Sequence, residues 1–144
     1  MECFKTFRKA PPSQLIMTLL VKNEESMLEE NLLFHKAMGV DSFIITDNNS
    51  TDSTPEIIRK YKQKGWIKEV IEEKATDYEQ KEWVDRMIWK AKTIYKADWI
   101  INADADELWY SPSGNLKTDL SATHANVLNC EMRSVYPEEN QPFW

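Results

Sequence analysis

Leu15-Ile16-Met17-Thr18-Leu19-Leu20-Val21 is an apolar run of strand length that carries no charge and does not alternate. A strand wetted on one side alternates apolar with polar residues. A continuous run is covered on both faces, as in a parallel sheet flanked by helices. This stretch therefore commits the chain to burying one strand between two layers. Residues 42–46, 66–71 and 98–103 supply three more segments of strand length.

Helical stretches separate these strands. Ser26-x-x-Glu29 predicts a capping box, with a helix to about Met38 and a stop at Gly39. Thr54 predicts a cap and Pro55 the first position of a second helix. Ile57, Ile58 and Tyr61 form its core face, and Gly65 ends it. A third helix is expected from about Glu79 to Lys96, with Val84, Met87, Ile88, Ala91, Ile94 and Tyr95 along one face. Leu116 and Leu120 suggest a short fourth helix, and Asn126 to Val135 a further strand. Residues 1–13 read as a leader with little structure, and residues 14–144 as one domain. The order β-α-β-α-β-α-β predicts an α/β fold, a three-layer α/β/α sandwich with a mostly parallel sheet.

Composition excludes several classes. The net charge of −6 argues against nonspecific nucleic-acid binding and against a lipid anchor built on basic charge. No apolar run approaches the roughly 20 residues of a membrane span. Residues 1–12 are polar and do not read as a signal peptide. Only three glycines occur, Gly39, Gly65 and Gly114, so neither a Walker loop nor a G-x-G-x-x-G fingerprint can form. Cys3 and Cys130 fit no zinc spacing, and a reduced, cytoplasmic setting is expected.

Chemistry concentrates where the fourth apolar segment ends, in Asn102-Ala103-Asp104-Ala105-Asp106-Glu107. An extended backbone would point the Asp104 and Asp106 carboxylates to one side. Two such charges at about 4 Å repel by roughly 4 kcal/mol at an effective dielectric near 20. A divalent cation relieves that repulsion, and hard carboxylate oxygens suit Mg²⁺ or Mn²⁺. A solvated turn is the plain alternative. A Ca²⁺ loop is not: counted from Asn102, the sixth position is Glu107 in place of Gly and the twelfth is Ser113 in place of Glu. Two more polar clusters follow earlier strands, Lys22-Asn23-Glu24 and Asp47-Asn48-Asn49-Ser50-Thr51-Asp52. Ligands of parallel sheets collect at such carboxyl ends.

With these three clusters in order, the chain resembles the nucleotide-sugar-binding half of GT-A glycosyltransferases, family 2 and its relatives above all, over roughly residues 14 to 135. The resemblance implies an inverting, metal-assisted transfer of a sugar from a nucleoside-diphosphate donor, expected to be UDP-linked, to a carbohydrate or other hydroxyl acceptor. Carried over, Asp47 accepts a hydrogen bond from the base, and Lys22, Asn23 and Glu24 line the same pocket. Asn49, Ser50 and Asp52 shape the turn beside it. Asp104 contacts ribose or metal, Asp106 ligates the metal that bridges to the diphosphate, and Gln80 and Arg86 are further donor contacts. Trp109 is a candidate to stack on an acceptor sugar. The family's catalytic base lies well beyond the acidic motif. Asp119, Glu131, Glu138 and Glu139 are the carboxylates downstream here, and none is assigned that role. A nucleotide-binding but catalytically incomplete fragment is therefore an alternative. A nucleotidyltransferase is another, although residues 21–26 lack the Gly-rich phosphate loop it would use. An interaction module that binds no nucleotide is a third.

Overall fold

The computed structural model describes residues 13–74, 80–123, 125–128 and 130–134. β1 (Leu15–Val21) lies inside the sheet, between β2 (Ser42–Asp47) and β4 (Trp99–Ala103), and β3 (Ile67–Glu72) pairs with β2. All three pairings are parallel, in the order β3-β2-β1-β4.

Side chains of a strand point alternately to its two faces, and β1 uses both. Leu15, Met17, Leu19 and Val21 join a core cluster with Leu28 and Leu32 of α1 (Leu28–Ala37) and Ile58 and Tyr61 of α2 (Thr54–Gln63). Ile16 joins a second cluster on the opposite side, with Ile44, Met87 and Ala91. The last two belong to α3 (Gln80–Thr93). Leu116 of α4 (Leu116–Ser121) packs with the first cluster. The expected three-layer α/β/α sandwich is thus the fold, and its described strands are all parallel.

Several local expectations are corrected. The capping box does not form: Met27 occupies the N-cap of α1 without a side-chain cap. Glu29 instead binds Lys60 and accepts from the Tyr61 hydroxyl at 2.7 Å. Ser53, not Thr54, is the N-cap of α2, and Pro55 lies in its first turn as expected. The buried face of α3 is Trp83, Met87 and Ala91. The helix ends at Thr93, so Ile94 falls past it and is exposed. Residues 125–128 and 130–134 form no strand, and Val127 and Met132 are each 85% exposed. The expected leader, residues 1–12, and the start of the third helix at Glu79 lie outside the described residues.

The strand order reverses between β1 and β4, because the chain runs outward through β2 and β3 and then returns to the other side of β1. In open parallel sheets the crevice at such a reversal, at the carboxyl ends of the strands, is where ligands bind. Lys22-Asn23-Glu24 follows β1 and Asp104–Glu107 follows β4, one on each side of that crevice. β1 and β2 end side by side, with Val21 paired to Asp47, whereas β4 ends opposite Leu19, short of the end of β1. Among the described residues no helix is long and apolar enough to cross a membrane.

Candidate functional site

The β1–α1 and β2–α2 loops are stitched together. Three successive amides donate across the gap: Asn23 to the Ser50 hydroxyl at 2.9 Å, Glu24 to the Thr54 hydroxyl at 2.8 Å, and Glu25 to the Asp52 carboxylate at 3.1 Å. In return, Thr51 N–H reaches Asn23 Oδ1 at 2.8 Å and Ser53 N–H reaches Glu25 at 2.9 Å. Asn23 and Asn49 hold left-handed backbone at φ 56 and 54. Asn tolerates that region better than most residues, because its short side chain can bond locally. Asp47 closes the second loop by accepting from Ser50. Hydrogen bonds from Thr54 and Glu25 outweigh the upward pull of burial and hold Asp52 below its ordinary pKa.

The acidic segment is a turn, not an extension of β4. Glu107 N–H donates to the Asp104 carbonyl at 3.1 Å. The Asp104 amide donates back to the Glu107 carboxylate at 3.4 Å. Alternate spacing on a strand therefore does not aim these two carboxylates. Ala105 is buried, while Asp104 and Asp106 flank it exposed, and among the described residues neither carboxylate makes an ion pair.

The turn is held from beneath by α1. Asn31 Nδ2 donates to the carbonyls of Ala105 at 2.9 Å and Glu107 at 3.0 Å. His35 Nε2 accepts the Trp109 amide at 2.9 Å. Its Nδ1 lies 2.9 Å from both the backbone and side-chain oxygens of Asn31. An amide can only donate, so Nε2 must be bare and the proton sits on Nδ1. Burial pushes the His35 pKa down to about 4, against the opposing pull of its Asn31 hydrogen bond, so the ring is neutral. Neither Asn31 nor His35 stood out in the sequence as a site residue. Their partners lie 74 to 76 positions away, beyond any local pattern.

Glu24 brings the three clusters to one rim. Partial burial first, then the carboxylates of Asp106, Asp52 and Asp104, push its pKa above the ordinary value. Groups from the loops after β1, β2 and β4 thus share one electrostatic neighbourhood. Lys22 is exposed there and makes no ion pair among the described residues. Asp47 also lines an open hollow of about 190 Å³, together with Ile58, Arg59, Lys62 and Val70. Arg86 is paired with Glu73 after β3, and Gln80 opens α3, exposed. Trp109 is half-buried against the main core, whereas Tyr110 is 67% exposed.

Among the described residues no three His, Cys, Asp or Glu side chains group to hold a metal ion. Asp104 and Asp106 are two exposed carboxylates on this turn. Mg²⁺ and similar hard cations can bind through one or two carboxylates, with phosphate oxygens and water filling the remaining positions.

The glycosyltransferase family 92 model matches residues 17–133, from within β1 to beyond α4. The chain belongs to glycosyltransferase family 92. Family 2 in particular, expected from the motifs, is not what this match shows. No curated protein matches the family 92 chain. Among solved structures it is similar to the mannosyltransferase PcManGT from Pyrobaculum calidifontis, in complex with GDP-Man and Mn²⁺. The identity is 18% and the TM-score 0.53, over 71% of this chain and 30% of that one. It is also similar to TarS of S. aureus, at 17% identity and a TM-score of 0.54, over 76% of this chain and 19% of that one. These likenesses show a GT-A-like fold, and the family 92 chain spans less than a third of either structure's length.

Proposed function

We propose that this chain binds the nucleotide-sugar donor of a family 92 glycosyltransferase and, taken alone, holds the donor without completing transfer. The observation that supports the reading is the sheet order, in which the loops after β1, β2 and β4 leave the same end of a parallel sheet. The first two loops are tied by hydrogen bonds, and the Asp52, Asp104 and Asp106 carboxylates all act on Glu24. In this reading the base sits against Asp47, whose free carboxylate oxygen accepts an N–H such as that of uracil or guanine. Lys22 reaches a phosphate as a point charge. Asp104 and Asp106 hold Mn²⁺ or Mg²⁺ together with the donor's diphosphate. Asn23, Glu24, Asn49, Ser50 and Asp52 shape the pocket, and Gln80 and Arg86 approach the donor from α3. The cation, when bound, supplies Lewis acidity toward the charge that grows on the departing phosphate oxygen.

An inverting displacement also needs a base for the acceptor hydroxyl. The described downstream carboxylates are engaged elsewhere: Asp119 accepts from Ser111, and Glu131 pairs with Arg133 on the surface. This supports donor binding without turnover. A nucleotidyltransferase is disfavoured, because the amides of residues 23–25 are consumed by the neighbouring loop and leave no cradle for phosphate.

Thermal denaturation with UDP, GDP or CMP, each with and without Mn²⁺, tests the reading. A ligand at 100 times its Kd adds about 2.7 kcal/mol. UDP or GDP should stabilise the protein only with Mn²⁺, CMP should not, and Asp106→Asn should abolish the effect. No shift with any nucleotide would leave an interaction module as the better account. Hydrolysis of a UDP- or GDP-sugar by this chain would replace donor binding alone with a complete enzyme.

A further inference from the structure

We infer that Asn31 and His35 are positioning residues that set the geometry of the acidic turn for the cation and diphosphate, an inference that rests on the donor-binding reading above. Both are essentially inaccessible to solvent. Asn31 Nδ2 and His35 Nε2 bond the backbone of residues 105–109, and the remaining side-chain polar atoms bond within the pair. The connections form one directed chain. Trp109 N–H donates to His35 Nε2, and His35 Nδ1–H donates to the Asn31 oxygens. Asn31 Nδ2 then donates to the carbonyls of Ala105 and Glu107. Each orientation is forced by the next. The carbonyls require the amide nitrogen of Asn31, which turns its oxygen to His35, and the Trp109 amide requires a bare Nε2.

Three of these hydrogen bonds bracket Asp106. One lies on the residue before it, and the others lie one and three residues after it. A carboxylate on a turn free to rock by an ångström holds a cation poorly, and loss of an outer hydrogen-bond partner typically costs 10- to 100-fold in metal affinity. Asn31 and His35 touch neither cation nor donor, so their effect passes entirely through the backbone carrying Asp104 and Asp106. The neutral ring is part of the design, since a doubly protonated His35 would offer the Trp109 amide a donor where it needs an acceptor.

The test compares wild type with Asn31→Ala, His35→Leu, His35→Gln and a control, Ala91→Gly, in α3 on the opposite face of the sheet. Two quantities are measured: Mn²⁺ affinity by calorimetry at saturating UDP or GDP, and amide hydrogen exchange at Glu107 and Trp109. Asn31→Ala and His35→Leu should weaken Mn²⁺ at least about tenfold and speed exchange at those two amides. His35→Gln keeps an acceptor for Trp109 and should recover most of the affinity. Ala91→Gly should lower the melting temperature but leave both quantities unchanged. Wild-type affinity in Asn31→Ala and His35→Leu, or an equal loss in the control, overturns the positioning role. If wild type itself binds no Mn²⁺ with nucleotide, the donor-binding reading fails. Unchanged exchange at Glu107 and Trp109 in the variants then overturns the clamp separately.

Discussion

Asp47 Oδ1 accepts two hydrogen bonds from a single residue, the Ser50 amide at 3.1 Å and the Ser50 hydroxyl at 2.6 Å. One carboxylate oxygen is committed to shaping the turn; the other accepts no hydrogen bond among the described residues, and in the proposed reading it meets the ligand. Asp47→Asn keeps an oxygen for Ser50 and puts an amide donor where the ligand's N–H should arrive. Folding stability should change by about 1 kcal/mol or less, while affinity for UDP or GDP should fall about tenfold or more, a loss of at least 1.4 kcal/mol. Calorimetric titration beside urea denaturation separates the two effects. Unchanged affinity would remove Asp47 from the base pocket.

His35 makes folding sensitive to acid. Its folded pKa of about 4 lies below the free value of 6.5, so between those values the unfolded chain binds more protons than the folded one. Stability from this residue is full above about pH 6.5 and is lost as pH falls toward about 4. A shift of this size is worth about 3 kcal/mol at 1.36 kcal/mol per unit. His35→Gln should flatten that part of the stability–pH curve relative to wild type. Parallel curves for the two proteins would show that the ring is not held neutral.

Glu24 acts in the opposite direction. Its folded pKa is raised, so its contribution to stability is present below the ordinary carboxylate value of 4.5 and is lost as pH rises through the folded value. Near neutral pH and without divalent cations, Glu24→Gln should therefore unfold at higher denaturant than wild type. The gap should close under acid, once wild-type Glu24 is protonated. A variant less stable than wild type at neutral pH would mean that the carboxylate crowding is absent.

Gly39 is more than a helix stop. It has a φ of +96, and a Cβ built there would meet Asn115 Oδ1 at 2.7 Å. That oxygen accepts from Thr118 N–H and caps α4. Gly39→Ala combines a left-handed backbone with the displacement of a cap. Caps alone are worth about 1 kcal/mol, and alanine at positive φ adds a comparable cost. A loss of about 2 kcal/mol is expected in urea denaturation, and a loss below about 0.5 kcal/mol would show that α4 yields without penalty.

The frame of the molecule was legible because its signals are local. An unbroken apolar run can only be a covered strand or a buried helix segment, and Leu15–Val21 is too short for the latter. Gly39 and Pro55 marked a helix end and a helix start by backbone constraints that hold in any context. The rim clusters were legible for the same reason, since polar residues after a buried strand have few other places to go. What failed was decided by distant partners. Glu29 had the right spacing for a capping box, but Lys60 and Tyr61 drew it away. Asp104 and Asp106 were expected to share a side on extended backbone, yet the Asn31 amide donates to the carbonyls of Ala105 and Glu107 and holds a turn instead. Trp83 lay outside the chosen face of α3 because the register was read from aliphatic residues, some of which fall beyond the helix end.

Because neighbouring residues of β1 serve opposite layers, the strand cannot gain or lose a residue. An insertion near Thr18 would send every later side chain to the wrong side at once, pressing Leu19 and Val21 toward Met87 and Ala91. The three rim loops face no such rule. Change in length during descent should therefore collect around the pocket, where new partners can be tried, while the central strand keeps its count.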